Sequence, residues 1–419
     1  MEKEFEYKEE YAWLTNICLN VTDACNLACR YCFVEQHPHY MTLDVAKQAV
    51  HFILDNLEKK NDKFNTNERA SIAFFGGEPT LMWNEIIEPL TLYIRNNNFP
   101  IDLNITTNGT LLNKERIRFM ATHKIQPLLS IDGDKDTQEY NRPCRNIQDS
   151  SFELVEKNIP TLLEFFPNVT FRATIYANTV ENTFNNYIYA IKKGFKNIFL
   201  LPDSRHPWTT QQKIQLKQEI DKIYEFIEFC FENNTLPICY DLVNRSLEYV
   251  LRHDIKILAQ EFTQPKPSRE LVRCGLGTGM GSIGYDGKIY GCQEQTSKST
   301  DNIFYIGNIY NGIDREKHIS LLTLYHRPQS ARCENLQLCT NCELLNICTD
   351  FCCPSVSYDL YQDFFIDSEI HCLLLKWLFD NSTILMQNLV TCNNKLFEYY
   401  LNEKCNYKQY FKEDENNVM

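Results

Sequence analysis

The sequence predicts an α/β protein in which a parallel sheet with flanking helices is followed by a helical segment and a small cysteine-rich module. Apolar, strand-like runs alternate with helix-like segments about six times before residue 205. Strand followed by helix predicts parallel strands joined by right-handed crossovers. The 18 cysteines of the 419-residue chain lie mainly in two groups, three between Cys25 and Cys32 and nine between Cys274 and Cys372. This distribution predicts two modules that both bind metal.

Six apolar runs are predicted as strands, at 13–22, 71–75, 101–106, 125–131, 169–176 and 197–201. Helices are predicted between them, at 42–60, 83–97, 113–123, 150–166 and 183–193. In parallel sheets and barrels, functional residues gather at the C-terminal ends of the strands. The first four predicted strands are followed in this way by Cys25, Gly76-Gly77-Glu78, Thr107-Asn108-Gly109 and Asp132-Gly133.

After Pro202 the pattern changes. Apolar residues recur at three- or four-residue spacing over 209–262, which predicts helix, and a proline-rich linker follows at 264–267. The segment 280–295 predicts a hairpin that turns at Asp286-Gly287. An amphipathic helix is predicted over about 367–404, before an acidic tail.

Composition and charge exclude several classes of protein. Hydrophobic residues make up 43% of the chain, which is enough for a large core and excludes a disordered protein. The 42 basic and 55 acidic residues give a net charge of −13, which argues against nucleic acid as a partner. The first 11 residues lack the apolar centre of a signal peptide, and no apolar run is long enough to predict a membrane span. We expect a cytoplasmic protein, whose clustered cysteines bind metal rather than form disulfides.

The first cysteine group is the segment DACNLACRYCF, in which Cys25, Cys29 and Cys32 have the spacing C-x3-C-x2-C. Three thiolates on a short loop can ligate three irons of a cubane cluster and leave the fourth iron open to a small molecule. A zinc site is the alternative, because His37 or His39 would supply the fourth ligand of a tetrahedral site.

This loop resembles that of the radical SAM (S-adenosylmethionine) superfamily, in which a C-x3-C-x2-C loop follows the first strand of a partial (β/α)6 barrel. The resemblance continues along about 190 residues. Gly76-Gly77-Glu78-Pro79 matches the family's GGE motif, which binds the amino group of the methionine moiety. Glycines allow close backbone approach, and a carboxylate meets an ammonium group. Taken alone, the same four residues would be a common turn.

The resemblance implies further contacts with SAM, from the cysteine loop and from the ends of the later strands. These residues are Tyr31 and Phe33 for adenine, Thr107, Asn108, Ser130 and Asp132 for the ribose or methionyl group, and Arg172 for the methionyl carboxylate. The Asn-Gly and Asp-Gly pairs in this set are also consistent with plain turns. The polar loop at 134–142 is expected to be solvated.

The second cysteine group resembles the SPASM domain of radical SAM enzymes that mature peptides and proteins. All seven positions of its pattern match: Cys274, Cys292, Cys339, Cys342, Cys348, Cys352 and Cys372. A zinc ribbon would need two CxxC pairs with a regular separation, and only Cys339 and Cys342 form one. The resemblance therefore implies two auxiliary [4Fe–4S] clusters.

The family's ligation assigns Cys274, Cys292 and Cys352 to the first auxiliary cluster and Cys339, Cys342, Cys348 and Cys372 to the second. The first cluster then lacks a fourth ligand, which only Cys333 or Cys353 could supply. We expect its iron to be open and able to accept a substrate thiolate.

The predicted organisation has four parts: a radical SAM (β/α)6 barrel at 12–205, a helical insert and linker at 206–267, a SPASM domain at 268–375, and a C-terminal helix and tail at 376–419. Many peptide maturases carry a leader-binding domain before the barrel, whereas this barrel begins near residue 12. We expect the helical insert to contribute to recognition of a leader.

These features predict a radical SAM oxidoreductase that uses SAM and three [4Fe–4S] clusters, one of them binding SAM. The expected reaction removes hydrogen from a ribosomally made, cysteine-containing precursor peptide and forms a thioether between the cysteine sulfur and a carbon, as in sactipeptides and ranthipeptides. A flavodoxin- or ferredoxin-type protein would donate the electrons.

Three alternatives remain. An anaerobic sulfatase maturase would oxidise Ser or Cys to formylglycine, but that family carries an Asp directly after the second SPASM cysteine. Here Gln293 and Glu294 follow Cys292, so that Glu294 is the candidate catalytic base in its place. A peptide carbon–carbon crosslinking or epimerising enzyme is the second alternative. The third is an iron–sulfur electron carrier, which would not need a SAM site.

Overall fold

Six parallel strands form the centre of the structure. A computed structural model describes residues 5–238, 241–258, 274–298, 301–325, 353–364 and 368–404. The strands are β1 Asn16–Thr22, β2 Ala70–Gly76, β3 Ile101–Thr107, β4 Ile125–Ser130, β5 Thr170–Ile175 and β6 Asn197–Pro202. They pair in chain order, each parallel to the next. All six predicted strands and the parallel sheet are confirmed.

Helices connect these strands and cover one face of the sheet. They are α1 Leu43–Phe64, α2 Glu88–Asn96, α3 Lys114–Thr122, α4 Lys135–Asn141, α5 Ser151–Glu156, α6 Ile159–Phe165 and α7 Thr183–Lys193. Local sequence sets their ends: the Thr42 hydroxyl accepts a hydrogen bond from the Val45 amide at the start of α1. Gly194, with a φ of 94°, ends α7. The helix predicted over 150–166 is divided into α5 and α6, because Pro160 lacks the amide that a continuous helix would use.

The strands alternate between a fully buried face and a half-buried one. In β2 and β5 the buried side chains include Ile72, Phe74 and Phe171. Full burial of such a side chain stabilises the fold by about 1.5–3 kcal/mol. The half-buried face carries polar residues such as Arg172. The side chains that could bind a ligand therefore lie on this half-buried face and not on the buried one.

The sheet continues beyond the six parallel strands into the C-terminal part of the chain. The added strands are β7 Met280–Ile283, β8 Lys288–Tyr290, β9 Tyr305–Asn308 and β10 Gly312–Ile313, before α10 Arg315–Tyr325. The complete order is β10-β9-β8-β7-β1-β2-β3-β4-β5-β6, with β7 parallel to β1. The predicted hairpin is confirmed, because β7 and β8 pair in antiparallel fashion around Asp286-Gly287. The first of the parallel strands is therefore shared by both cysteine-bearing regions.

A layer of helices from the insert and the C-terminal region packs together. It consists of α8 Thr210–Glu232, α9 Asp241–Leu258, α12 Glu369–Thr391 and α13 Lys395–Lys404, whereas α11 Pro354–Tyr361 packs on the segment after β8. The Tyr224 hydroxyl on α8 donates to the carbonyl of Leu378 on α12 at 3.0 Å. The single helix predicted over 367–404 is wrong, because Asn393 adopts a left-handed φ of 52° and separates α12 from α13. Among the described helices, none is both long and apolar enough to cross a membrane.

Candidate active site

The first cysteine loop follows β1 and is held by backbone hydrogen bonds from two directions. Two amides of the GGEP turn donate to carbonyls of residues 22–24 at 2.8 and 2.9 Å. The amides of Ala28 and Arg30 donate to carbonyls of residues 141–143, also at 2.8 and 2.9 Å. The thiols are thus positioned by the end of β2 and by the end of α4.

The three thiols of this loop differ in exposure. Cys25 and Cys29 are half-buried and Cys32 is exposed. Burial, reinforced by the charge of Glu78, raises the pKa of Cys25 to about 12. Burial also raises the pKa of Cys29 to about 11, although Arg142 opposes the shift. Binding of iron by these thiols therefore requires that their protons be displaced.

The donor set suits an iron–sulfur cluster better than a single ion. Within the described part of the chain, no three thiol, imidazole or carboxylate groups are grouped closely enough to hold one metal ion. A cubane cluster places each thiolate on a different iron and so accepts a wider spacing. The thiols of Cys25, Cys29 and Cys32 nevertheless lie near enough to interact electrostatically. Three such thiols on one clamped loop fit the cluster that the spacing predicts.

The two glycines of the GGEP turn are required by the cysteine loop. A Cβ atom on Gly76, whose φ is 145°, would lie 2.2 Å from the carbonyl oxygen of Thr22. A Cβ atom on Gly77 would lie 2.2 Å from the carbonyl oxygen of Ala24. The close backbone approach predicted for these glycines is therefore present, and the backbone that they approach is the cysteine loop.

Glu78 is buried and joins the ends of β2 and β3. One carboxylate oxygen accepts hydrogen bonds from the Thr80 amide at 3.0 Å and from the Thr107 hydroxyl at 2.7 Å, and the other accepts from the Asn108 amide at 2.8 Å. Burial raises the pKa of Glu78 even though these hydrogen bonds oppose the shift. The predicted SAM residues Glu78, Thr107 and Asn108 thus form one connected group.

Asn108 also connects this group to the first thiol. Its side-chain amide donates to the Asn26 side-chain oxygen at 3.0 Å and lies 3.9 Å from the sulfur of Cys25. Its own side-chain oxygen accepts from the Thr110 amide at 3.0 Å. A simple Asn-Gly turn would not require the side-chain amide to lie beside a thiol. The Asn108 side chain therefore contacts the cysteine loop and helps to position it.

Asp132 is buried and fully engaged with protein donors. Its carboxylate accepts hydrogen bonds from the Tyr31 hydroxyl at 2.5 Å, the Asn141 side chain at 3.0 Å, the Arg142 guanidinium at 2.9 Å and the Thr174 amide at 3.0 Å. Asp132 therefore fixes Tyr31, the predicted adenine contact, against the end of α4.

Arg142 corrects the expectation that 134–142 is a solvated loop. Residues 135–141 form α4, which begins where the Asp134 carboxylate accepts from the Thr137 amide, and Arg142 is 7% exposed. Burial by itself would lower the pKa of Arg142, but Asp132, Tyr31 and Cys29 together outweigh burial and raise this pKa. The Arg142 guanidinium also lies 5.3 Å from the ring centre of Tyr31.

Arg172 and Ser130 are register partners on β5 and β4. The Arg172 guanidinium lies 4.2 Å from the ring centre of Phe199, and one of its terminal nitrogens is buried without a hydrogen-bond partner in the described structure. Burial, together with the neighbouring Arg142, lowers the pKa of Arg172 to about 10. An unpaired, buried guanidinium nitrogen fits an anionic ligand group that is absent from the protein itself.

A cavity of about 580 Å³ adjoins Arg172. Its walls include Leu128, Thr170 and Phe199 on the half-buried strand face, and Asp241 and Asn244 on α9. The strands and the helical insert therefore share one cavity, which lies at the level of the first residues of β5 and β6 and is bordered by Arg172.

Phe33 and Arg205 occupy the side of the site that faces the second cysteine group. The Phe33 ring stacks on Phe75 with 6.3 Å between ring centres, and the Arg205 guanidinium lies 5.2 Å from the Phe33 ring centre. Arg205 lies three residues after the end of β6. Functional residues are expected after the C-terminal ends of strands, and the same expectation for β6 would have identified Arg205 from the sequence.

Glu294 lies where the two cysteine-bearing regions meet. Its carboxylate accepts a hydrogen bond from Arg205 at 2.7 Å and from the thiol of Cys353 at 3.7 Å. It also interacts electrostatically with Arg172 and with Cys292. The Glu294 carboxylate therefore contacts Arg205 after β6 and the Cys353 thiol before α11. It also lies near enough to Arg172 on β5 and to Cys292 after β8 for their charges to interact.

Part of the second cysteine group can be located in the structure. Cys274 is exposed and precedes β7, Cys292 is half-buried and follows β8, and Cys372 is half-buried on α12. The other predicted ligands, and one of the two alternative ligands of the first auxiliary cluster, lie outside the described residues: Cys339, Cys342, Cys348, Cys352 and Cys333.

The fold and the site define a class of protein. A C-x3-C-x2-C loop held after the first strand of an unclosed parallel sheet, beside a GGEP turn and an arginine with one unpaired nitrogen, matches the arrangement that the resemblance to radical SAM enzymes predicts. The sequence model of the Radical SAM superfamily matches residues 19–200. These residues form a radical SAM domain, and proteins of this superfamily bind SAM and a [4Fe–4S] cluster.

Two curated relatives extend the comparison. The radical SAM cyclopropyl synthase TigE of Paramaledivibacter caminithermalis is 22% identical over 410 residues, which cover 92% of this chain and 76% of that enzyme. A cysteine-type anaerobic sulfatase-maturating enzyme of Clostridium perfringens is 29% identical over 184 residues. That second match covers 42% of this chain and spans about half of the relative, 48% of its length.

A solved structure shares the fold over most of both chains. Native anSMEcpe with bound AdoMet and Cp18Cys peptide has a TM-score of 0.65 and 19% sequence identity, and the match covers 90% of this chain and 98% of the other. This similarity shows that the fold extends beyond the barrel into the C-terminal region.

Proposed function

We propose that the protein is a peptide maturase that removes hydrogen from a cysteine-containing precursor and joins the cysteine sulfur to carbon in a thioether. The observation that supports this most is the position of Glu294. It lies between Arg172, at the predicted SAM site, and the thiol of Cys353 in the C-terminal module. A substrate seated there would be next to the radical source and to a carboxylate able to take a thiol proton.

The cofactors would be held by the residues predicted for them. Cys25, Cys29 and Cys32 would ligate the SAM-binding cluster, and the unpaired nitrogen of Arg172 would meet the methionyl carboxylate. Tyr31, fixed by Asp132, and Phe33, stacked on Phe75, would enclose the adenine. When bound, SAM and the clusters supply a 5′-deoxyadenosyl radical that takes a hydrogen atom and an acceptor for the electron that remains.

Formation of the thioether removes two hydrogens from the peptide. One leaves the acceptor carbon as a hydrogen atom, and the other leaves the thiol as a proton while one electron passes to an oxidant, here an auxiliary cluster. Glu294 is the group in this protein that is placed to receive the proton, because it already accepts a hydrogen bond from a thiol. Arg205, at 2.7 Å, holds the carboxylate in position.

Conversion of cysteine to formylglycine is the second candidate. Two observations favour it: the sulfatase-maturating relative, and the anSMEcpe structure with a bound Cys-containing peptide, both resemble this chain. Glu294 would serve equally as the base, since it follows Cys292 by two residues. The two reactions share the removal of hydrogen and differ in the fate of sulfur, which the thioether product retains and the formylglycine product loses.

Mass spectrometry separates the candidates. The reduced, reconstituted protein would be incubated with SAM and a short cysteine-containing precursor peptide. Loss of two hydrogens, with the cysteine no longer alkylated by iodoacetamide, supports the thioether. Replacement of the cysteine CH2SH group by an aldehyde group, CHO, identifies formylglycine instead. A peptide that has lost two hydrogens but whose cysteine is still alkylated would contain a carbon–carbon bond. That result would contradict both the thioether and the formylglycine reaction.

The helical insert is proposed to help bind the peptide leader. The buried face of α8 packs on α12, while Ile214 and Phe229 on α8 are 47% and 59% exposed. Replacement of Phe229 by Ser is expected to weaken binding of the fluorescently labelled precursor while the core packing is retained. Unchanged affinity would contradict a role for this face.

A further inference from the structure

Nitrogen donors contact two of the three thiols of the first cysteine loop. The Leu27 backbone amide donates to the sulfur of Cys25 at 3.4 Å, and the side-chain amide of Asn108 lies 3.9 Å from the same sulfur. The side-chain amide of Gln36 donates to the sulfur of Cys32 at 3.6 Å. Gln36 lies four residues after the last cysteine of the loop and is therefore a contact that the C-x3-C-x2-C spacing does not include.

The Gln36 side chain is held in place by Arg145. The Arg145 guanidinium donates to the side-chain oxygen of Gln36 and to the backbone carbonyl of Cys25, the second at 3.0 Å. The backbone amide of Arg145 donates to the Asn26 carbonyl at 3.0 Å. Arginine has donors but no acceptor, so the oxygen of the Gln36 side chain must face Arg145, and its NH2 group is left for the sulfur of Cys32.

The donor at Cys32 is fixed by the protein at a sulfur that would otherwise meet water. The Cys32 thiol is exposed, and Gln36 is half-buried beside it. Without Gln36, water would be the nearest donor to this sulfur. An amide that the protein holds in one direction stabilises added negative charge better than mobile water does, because it does not have to reorient when the charge changes.

A hydrogen bond to a cluster sulfur affects the two redox states of the cluster unequally. Reduction adds one electron and no proton to a [4Fe–4S] cluster, and the cysteine sulfurs carry part of the added charge. An N–H group that donates to such a sulfur stabilises the reduced state more than the oxidised state, and so raises the reduction potential. Removal of the donor therefore lowers the potential.

We propose that Gln36 raises the reduction potential of the SAM-binding cluster by donating to the Cys32 sulfur, and that Arg145 is the residue that positions Gln36. The electron donor, which we expect to be a flavodoxin- or ferredoxin-type protein, would then reduce the cluster more readily. The proposal rests on the cluster that the proposed function requires, but not on the peptide or on the identity of the product.

The test is a redox titration of the full-length, reconstituted protein without peptide, followed by electron paramagnetic resonance. The part of the reduced spectrum that changes when SAM is added identifies the cluster of the first cysteine loop. Gln36→Leu removes the donor without adding a charge. Arg145→Lys keeps the positive charge but replaces the fork that holds both Cys25 and Gln36. The matched control is Gln211→Leu, because Gln211 is exposed on α8.

Gln36→Leu is expected to lower the ratio of reduced to oxidised cluster about tenfold at the midpoint potential of the wild type, which corresponds to about 59 mV for one electron. Arg145→Lys should lower the same ratio, and Gln211→Leu should leave it unchanged. An unchanged or higher potential in Gln36→Leu would overturn the proposal. If Gln36→Leu binds no iron, Arg145→Lys decides, and a wild-type potential in that variant would overturn it. Because no product is measured, failure here is distinct from failure of the proposed reaction.

Discussion

Glu294 is the residue whose contacts reach both halves of the site. Its carboxylate pairs with Arg205 on one side and with the thiol of Cys353 on the other, and 18% of its side chain is exposed. A base that removes a substrate proton needs both a partner that fixes it and access to the ligand. Glu294 meets both conditions.

Glu294→Gln is predicted to uncouple radical formation from product formation. The amide keeps a hydrogen-bonding side chain beside Arg205 but cannot accept a proton, so modified peptide should fall by about 100-fold or more. The 5′-deoxyadenosine released per enzyme should change little. The ratio of modified peptide to 5′-deoxyadenosine, measured by liquid chromatography, reports the effect.

Glu316→Gln is the control, because Glu316 is exposed on α10. It should leave the same ratio unchanged. If the ratio in Glu294→Gln also equals that of the wild type, Glu294 is not the base.

Asp132 and Arg142 form a buried ion pair beneath the predicted adenine contact. Their side chains are 0% and 9% exposed, respectively. Asp132→Ala would leave a buried guanidinium without its counter-charge, which costs about 3–5 kcal/mol of the free energy of unfolding. Urea denaturation followed by fluorescence measures the change.

A surface pair provides the comparison. Arg69 and Asp102 are 51% and 62% exposed, so Asp102→Ala should cost no more than about 1 kcal/mol. Equal losses of the free energy of unfolding in Asp132→Ala and Asp102→Ala would show that burial does not increase the contribution of the Asp132–Arg142 pair to stability.

At the scale of elements, the turn after β2 determines the position of the cysteine loop. Gly77→Ala would place a methyl group 2.2 Å from the Ala24 carbonyl oxygen, so the loop must move away from the turn. The variant is expected to lose the barrel cluster, about four irons, while it retains the iron of any auxiliary cluster. Iron analysis after anaerobic reconstitution measures the loss.

Gly279→Ala is the matched glycine control. No atom lies within 4 Å of its added Cβ, although its φ of 83° introduces some strain. It should keep the barrel iron. Full iron content in Gly77→Ala would contradict the role assigned to this contact.

The strands and the motifs that follow them could be predicted from local sequence, because apolar runs and the turns after them are short-range signals. The short helix α4 could not, since residues 135–141 are polar and their helix is set by the Asp134 cap and by the burial of Arg142 under Tyr31. The break at Asn393 was missed for a similar reason: the apolar pattern continues through it, and only the backbone conformation ends the helix.

At the scale of the whole molecule, one sheet carries both cysteine-bearing regions. β1, which leads into the first cysteine loop, has β2 on one side and β7 on the other. The pairing of Asn16 with Met280 joins segments more than 260 residues apart, and no local pattern in either predicts it. For the same reason, the contact between the Cys353 thiol and the Glu294 carboxylate at 3.7 Å could not be predicted from the sequence.

This shared sheet brings the first cysteine loop and part of the second cysteine group together. Although β8 runs antiparallel to β7 and β1, the segment after β8 packs against β1 and against the residues that follow the first cysteine loop. The Cys18 thiol donates to the Gln293 side chain at 3.1 Å, and the Glu35 amide donates to the Ser297 hydroxyl at 3.2 Å. The domain boundaries predicted from sequence separate regions that share a continuous sheet. The proposed reaction therefore occurs where the two regions meet, around Glu294.

The most direct test of this account follows deuterium from the peptide into 5′-deoxyadenosine. A short cysteine-containing precursor peptide would be made with its carbon-bound hydrogens replaced by deuterium and incubated with the reduced, reconstituted protein and SAM. The account predicts deuterium in 5′-deoxyadenosine and a peptide that has lost two hydrogens and one alkylatable thiol. Unlabelled 5′-deoxyadenosine, formed at the rate seen without peptide, would contradict the claim that this protein removes hydrogen from a peptide carbon.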